Sequence, residues 1–151
     1  MKIVNHFATS PIHYFAISDV IFPGDSRYSS VQQKRTLVLG ASLKPHRFSY
    51  KAVIKLIRHD IPVVAIGSRE GTIGEVKIMK SFPELADIHT ITLYIGAKNQ
   101  SAFIDYILKI NPTRVIFNPG TENPEFEQLL RSRGIEVVEG CMLVMLSKGE
   151  Y

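Results

Sequence analysis

The sequence is poor in cysteine, because its 151 residues include only one, Cys141. A single cysteine cannot form an intramolecular disulfide, and zinc sites built from Cys-x-x-Cys pairs are excluded. The sequence also lacks a His-Glu-x-x-His motif and a carboxylate cluster, so no metal site is predicted. Cys141 opens an apolar segment and is expected to be a packing residue. These features fit a reducing compartment, and we expect a cytoplasmic protein.

Long apolar runs and dense blocks of charge are missing as well. No run approaches the roughly 18 apolar residues of a membrane helix. The mixed residues that follow Met1 and Lys2 do not form a signal peptide. The net charge of +4 and the pI near 9.2 are mildly basic. Because lysine and arginine are not clustered, this charge favours a small anionic ligand over a nucleic-acid or membrane partner.

What is present is an ordinary core composition, with 45% hydrophobic and 21% charged residues. A chain of this length is expected to form a single domain. We place that domain at residues 34–151, where apolar segments alternate with turn residues. Residues 1–33 are an N-terminal extension interrupted by Pro23 and by the loop signal Gly24-Asp25-Ser26. They form either an ordered segment packed on the domain or on a second subunit, or a leader upstream of the true start.

The most informative stretch is a strand, a loop of small residues and a helix in succession. Thr36–Leu39 is a short apolar run typical of a buried parallel strand. Gly40-Ala41-Ser42 forms the loop, and Phe48–Arg58 has helical periodicity with Ser49 near its start. The free N–H groups at a helix start bind phosphates. Alternatively, Gly40 only permits a tight turn and the loop cations are solvated; these cations are Lys44, His46 and Arg47.

The rest of the chain repeats this alternation. It predicts a three-layer, Rossmann-like α/β fold with a doubly wound, five-stranded parallel sheet. Loops at the carboxyl ends of such strands converge on a ligand crevice. The other four strands are predicted at 61–66, 91–95, 115–117 and 135–138, with helices at 100–110 and from Asn123-Pro124 to Gly134. A short strand at 75–79 and a helical turn at 81–86 are less regular.

The tip of the second strand bears on which nucleotide is bound. In a dinucleotide-binding fold this position contacts the ribose of the adenosine half. Gly67 and Ser68 are followed by Arg69, whose charge suits a phosphorylated ribose, as in NADP. Glu70 weakens that argument, and an exposed Arg-Glu pair on a turn is the alternative. An NAD(P)-dependent oxidoreductase or redox-responsive regulator is therefore a second hypothesis.

No catalytic set is evident. A nucleophile with a neighbouring base is missing, the Gly-x-Gly-x-x-Gly fingerprint is incomplete, and there is no P-loop. His46 is the only histidine in the ligand loop, where a surface or orienting role is expected rather than general base catalysis. The sequence thus favours a binding module over an enzyme. A structural subunit that assembles through residues 1–33, with itself or with a protein partner, is a third hypothesis.

Four segments resemble the stand-alone CoA-binding proteins, a small Rossmann-type family related to the nucleotide domain of the succinyl-CoA synthetase alpha chain. The first and third segments together are the more specific. Many members have Asn-Pro where this chain has Gly67-Ser68, and Asp-Arg where it has Glu139-Gly140. The segments are Gly40-Ala41-Ser42-x-x-Pro45-x-Arg47-x-Ser49, Ile73-Gly74, Asn118 to Phe126, and Gly134 to Val138 with Cys141 to Val144.

This resemblance implies that CoA or acyl-CoA lies across the carboxyl edge of the sheet. The first loop would hold the pyrophosphate, and the loop after the second strand would meet the adenosine. It does not imply ligase activity, because the phosphohistidine of the synthetase lies in a domain that this chain lacks. The predicted ligand-binding residues are Gly40, Ala41, Ser42, Arg47, Ser49, Gly67, Ser68, Arg69, Asn118 and Gly120.

Overall fold

The computed structural model describes residues 34–151, so the predicted extension at residues 1–33 lies outside the described residues. The centre of the described part is one seven-stranded sheet. Its strands are β1 (Thr36–Ala41), β2 (Val63–Gly67), β3 (Gly71–Ile73), β4 (Val76–Met79), β5 (Thr90–Leu93), β6 (Arg114–Phe117) and β7 (Glu136–Glu139).

The order of strands across the sheet is β3-β4-β2-β1-β5-β6-β7. All neighbouring strands are parallel except β3 and β4, which form an antiparallel pair at one edge. Without β3, this is the doubly wound arrangement, in which the order of successive strands across the sheet reverses beside the first strand. The predicted α/β class is confirmed. The sheet has seven strands rather than five, because the irregular region after β2 adds a hairpin.

Helices cover both faces of the sheet, giving three layers. Leu37 and Leu39 of β1 face one hydrophobic cluster, and Val38 between them faces the other. This alternation explains why the strand is apolar throughout. The four α-helices of residues 34–151 are α1 (Phe48–Arg58) and α4 (Met142–Lys148) on the Val38 side, and α2 (Ile104–Ile110) and α3 (Pro124–Ser132) on the Leu37 side.

The predicted helical turn at 81–86 is wrong, because this segment has no regular secondary structure. Its carbonyl groups accept hydrogen bonds from side chains instead. The Tyr106 hydroxyl donates to the Pro83 carbonyl at 2.7 Å, and Arg35 Nη1 donates to the Ala86 carbonyl at 2.9 Å. A segment without regular secondary structure, anchored in this way, replaces a crossover helix.

The predicted helix at 100–110 is regular only from Ile104 onward. Two short 3₁₀ turns, Ala97–Asn99 and Ser101–Phe103, precede it. Gln100 between them is buried, and its side-chain amide donates to the carbonyls of Ile95 at 2.9 Å and Thr121 at 2.7 Å. Because this glutamine is drawn inward, the chain follows an irregular path into α2.

Strand boundaries also differ from the prediction at β1, which continues through Gly40 and Ala41. The pairing with β2 shifts between Leu39 and Ala41, and Gly40 has a φ of 97°. This is a bulge, in which one extra residue bends the strand. The small residues read as a turn therefore form the bent end of the central strand.

The amino edge of the sheet is closed by Tyr151. Its hydroxyl hydrogen-bonds with the side chain of Thr36 at the start of β1. The guanidinium carbon of Arg114 lies 4.6 Å from the centre of its ring, and Lys34 Nζ donates to its carbonyl at 2.5 Å. Within residues 34–151, no helix has the length and apolar character that crossing a membrane would need.

We predict that Gly67→Ala destabilises the protein by at least about 2 kcal/mol, because a Cβ atom clashes with close-packed backbone. That atom would lie 2.1 Å from the Ala41 carbonyl oxygen. Urea unfolding would measure the change. Gly140→Ala is the matched control, since a Cβ there meets nothing within 4 Å. We expect it to change stability by less than about 0.5 kcal/mol. Equal stability of the two variants would contradict the close approach of β1 and β2.

Candidate functional site

A cleft of about 1050 Å³ opens at the carboxyl edge of the sheet. It lies over the ends of β1, β2 and β5, where the strand order reverses. Eight of the ten predicted ligand-binding residues line it; Arg69 and Asn118 do not. The lining residues are Gly40, Ala41, Ser42, His46, Arg47, Phe48, Ser49, Ile66, Gly67, Ser68, Lys80, Phe82, Tyr94, Ile95, Gly96, Asn99, Phe103, Pro119, Gly120 and Thr121.

The floor of the cleft is made of backbone. A Cβ on Gly40 would lie 2.9 Å from the backbone of Tyr94, and the positive φ of Gly40 also disfavours other residues. Gly120 has a φ of 92° and open space where a Cβ would stand. These glycines leave peptide groups accessible to a ligand.

The start of α1 offers hydrogen-bond donors to the cleft. Arg47 is the N-cap residue, but no side chain caps the helix, and its first turn contains no acidic residue. The first N–H groups of a helix have no partner within the helix and attract anions. Ser49, noted in the sequence as a starting residue, is buried in the first turn and lines the cleft.

Helix α3 shows the opposite arrangement. The Asn123 side chain accepts a hydrogen bond from the Phe126 N–H at 3.3 Å, and Glu127 Oε1 accepts one from the Asn123 N–H at 3.1 Å. Two acidic residues, Glu125 and Glu127, occupy its first turn. The start of α3 is therefore capped by its own side chains, whereas the first residues of α1 line the cleft without such a cap. Such a contrast favours α1 as the position for an anion.

The charged side chains among the described lining residues are both basic, Arg47 and Lys80, and the His46 imidazole lies beside them in the lining. No carboxylate is among these lining residues, although the chain has 14 acidic residues. Lys80 was missed in the sequence. It follows β4 directly, so the alternation of Val76 and Ile78 was a signal that its position reaches the carboxyl edge.

Two predicted site residues lie elsewhere. Arg69 is exposed in the turn after β2 and is not a lining residue. Asn118 is buried, and its side chain is fully engaged by protein atoms. Its amide nitrogen donates to Thr92 Oγ1 at 2.7 Å and to the Leu93 carbonyl at 3.0 Å. Its oxygen accepts from the Met142 N–H at 2.9 Å. Asn118 thereby joins β5, β6 and α4 behind the cleft.

Asn118→Ala should lower the free energy of unfolding by about 2–4 kcal/mol, because it leaves the Leu93 carbonyl and the Met142 N–H buried without partners. Chemical denaturation would measure the loss. Asn99→Ala is the control on the exposed rim of the same cleft. It should cost less than about 0.5 kcal/mol. A stable Asn118→Ala variant would show that water replaces these contacts.

Tyr94 follows β5 and is largely buried beside the cleft. Its hydroxyl is shielded from solvent and has no hydrogen-bond partner among the described residues. Burial raises the pKa of this phenol well above its ordinary value, and the nearby Thr92 side chain only partly offsets that effect. The folded state therefore favours neutral Tyr94. This contribution to stability is present below about pH 10 and is lost as the pH rises further.

Tyr94→Phe should leave stability at pH 7 unchanged or raise it by up to about 1 kcal/mol, because the removed hydroxyl is unpartnered. It should also reduce the loss of stability above pH 10. Thermal unfolding between pH 7 and 11 would measure both effects. Tyr106→Phe removes a hydroxyl that is bonded to Pro83 and should cost about 0.5–1.5 kcal/mol. Equal losses in the two variants would mean that Tyr94 has a partner.

Within residues 34–151, no group of three or more His, Cys, Asp and Glu side chains is arranged to hold a metal ion. Cys141 is half-buried at the start of α4.

The fold and the cleft define a Rossmann-type domain with a crevice at the point where the strand order reverses. More specifically, the chain belongs to the CoA binding domain family, whose sequence profile matches residues 34–147.

Solved structures show the same fold. A crystal structure of an uncharacterized protein is 43% identical, with a TM-score of 0.76, covering 78% of this chain and 98% of the other. A protein of Thermus thermophilus is 21% identical, with a TM-score of 0.69 and coverage of 87% and 100%. A hypothetical protein of Pyrococcus horikoshii is 21% identical, with a TM-score of 0.71 and coverage of 86% and 93%. Among curated proteins, none matches this chain.

Proposed function

We propose that this protein binds coenzyme A or an acyl-CoA through the pyrophosphate and adenosine parts, as a non-catalytic carrier or sensor. The observation that carries the proposal is the uncapped start of α1, which opens into the cleft of a chain from the CoA binding domain family. The pyrophosphate is the part of CoA that this position suits best, because it is anionic and compact.

The surroundings of α1 support a diphosphate ester in particular. Arg47 lies at the N-cap and is exposed, so its guanidinium is available to a phosphate oxygen. Gly40, Ala41 and Ser42 line the same part of the cleft with little side-chain bulk. Phosphate oxygens can therefore approach backbone N–H groups while the arginine contributes charge-assisted bonds. The absence of carboxylates from the described lining residues avoids repulsion of the anion.

The size of the cleft also supports CoA. A volume of about 1050 Å³ is at the upper end of the range for small-molecule sites. Such a cleft accepts an extended cofactor with a nucleotide at one end and a thin chain at the other. A carrier or sensor would need a second protein, or a second copy of this chain, to respond to the bound state.

Calorimetric titration of CoA into the full-length protein is the first test, with NADPH as the competing ligand. We expect CoA to bind and NADPH to bind more weakly or not at all. NADPH binding without CoA binding would instead favour the oxidoreductase or redox-regulator hypothesis, which Arg69 suggested. Neither heat nor a thermal shift at millimolar CoA would contradict the proposal.

Arg47→Ala should weaken CoA binding by about 1.5–3 kcal/mol, because a charge-assisted phosphate contact is lost. Arg58→Ala is the matched control: it removes the same charge from the last turn of the same helix, outside the cleft. Its affinity for CoA should match that of the wild type. If the two variants bind CoA equally well, Arg47 does not contact the phosphates.

A further inference from the structure

The loop between β1 and α1 has few hydrogen bonds to hold it in place. Its residues from Leu43 to Arg47 are all exposed. The Arg47 N–H donates to the Lys44 carbonyl at 3.0 Å, and the Lys44 N–H donates to Ser42 Oγ at 3.2 Å. Both bonds stay within the loop and its first residue, so they do not attach it to a neighbouring element. A contact from outside the loop is needed to select one position over the cleft.

Leu43 supplies such a contact with the hairpin formed by β3 and β4. Its side chain lies over Gly71, the first residue of β3. A Cβ atom on Gly71 would lie 2.7 Å from both methyl carbons of Leu43. Leu43 therefore occupies the space that any other side chain at position 71 would fill, and the glycine forms a notch for it. This contact leaves Leu43 37% exposed, whereas Phe48 at the end of the loop is 66% exposed.

The hairpin is a firm support because it is fixed on other sides as well. Strand β4 pairs with β2, and its Ile78 is fully buried. Gly71 lies opposite Ile78 in the antiparallel pair. At the turn of the hairpin, Ile57 Cδ1 lies 3.4 Å from the position of a Cβ on Gly74. The hairpin thus contacts the loop before α1 through Leu43 and the last turn of α1 through Ile57.

We infer that Leu43 is a positioning residue, whose contact with Gly71 holds the loop where Arg47 and the first N–H groups of α1 meet a phosphate. Leu43 is not among the described lining residues of the cleft, whereas Ser42 and Arg47 are. It therefore acts through the loop rather than by touching a ligand. A loop that is held in place before binding loses less conformational entropy when the anion arrives. This inference rests on the proposed function and gives the β3–β4 hairpin a part in it.

Leu43→Ala tests this role. It should weaken CoA binding by about five- to tenfold, because the loop must then be ordered at the moment of binding. Leu43→Met keeps a long apolar side chain over Gly71 and should bind CoA within about twofold of the wild type. Val144→Ala truncates a comparably exposed apolar side chain on α4, outside the cleft, and should leave the affinity unchanged. Calorimetric titration of the full-length protein measures all three affinities.

Limited proteolysis reports on the loop without any ligand. Trypsin cleaves after Arg47, and the fragments 1–47 and 48–151 can be identified by mass. Leu43→Ala should be cut there at least about threefold faster, because its loop opens more often. Leu43→Met and Val144→Ala should be cut at the wild-type rate. Cleavage after Arg133, an exposed residue at the end of α3, should be equal in every variant, which excludes general unfolding.

Weaker CoA binding by Leu43→Ala together with faster cleavage after Arg47 supports the inference. Wild-type affinity in this variant would overturn it. Weaker binding without faster cleavage would also overturn it, since Leu43 would then contact the ligand itself. Faster cleavage after Arg133 as well would show that Leu43 stabilises the whole domain rather than the loop. If the wild type binds no CoA, the proposed function fails and the role of Leu43 in binding fails with it, whereas the cleavage rates still decide whether Leu43 holds the loop.

Discussion

The pairing of β1 with β2 on one side and with β5 on the other is the constraint on which the rest of this structure depends. It continues along the strand, from Thr36 opposite Val63 and Thr90 to Leu39 opposite Ile66 and Leu93. Just beyond, Gly40 and Gly67 allow three backbones to approach more closely than any side chain would permit. The order in which successive strands join the sheet reverses here, so the helices on the two faces leave the strand ends uncovered. The cleft is a consequence of the sheet order, and the start of α1 lies at its centre.

The sequence allowed the regular part of the fold to be predicted because its local and tertiary preferences agree. Strands β1 and β2 at the centre of the sheet are apolar runs of six and five residues, as expected for strands that are covered on both faces. Helix α3 was predictable from Asn123 and Pro124, which form a standard start. The region at 71–103 was less predictable because side chains of distant residues decide its path. Tyr106 holds Pro83, and Gln100 holds Ile95 and Thr121; neither contact leaves a local pattern.

The residues of the candidate site could likewise be predicted only where their position follows from the local sequence pattern. Gly40–Ser49 and Gly67–Ser68 could be assigned to the cleft because they follow predicted strands directly. Phe82 and Phe103 could not, since their positions depend on an irregular segment packing against α2. Asn118 was wrongly assigned to the cleft for a different reason. It follows a strand directly, yet its side-chain amide forms hydrogen bonds with β5 and α4. Position at a strand end indicates the edge of the sheet, but the direction of a side chain depends on which buried polar groups need partners.

The glycine floor of the cleft has an evolutionary consequence. The lining at Gly40, Gly67 and Gly120 consists of main-chain atoms, and these atoms are common to every amino acid. A side chain added at one of these positions would strain the backbone or block the cleft, and it would not change the main-chain groups that meet a ligand. Substitution there therefore offers few routes to a new ligand preference. Divergence in what such domains select should therefore accumulate on the surrounding rim, at positions such as Lys80 and Asn99, while the central anchoring mode persists.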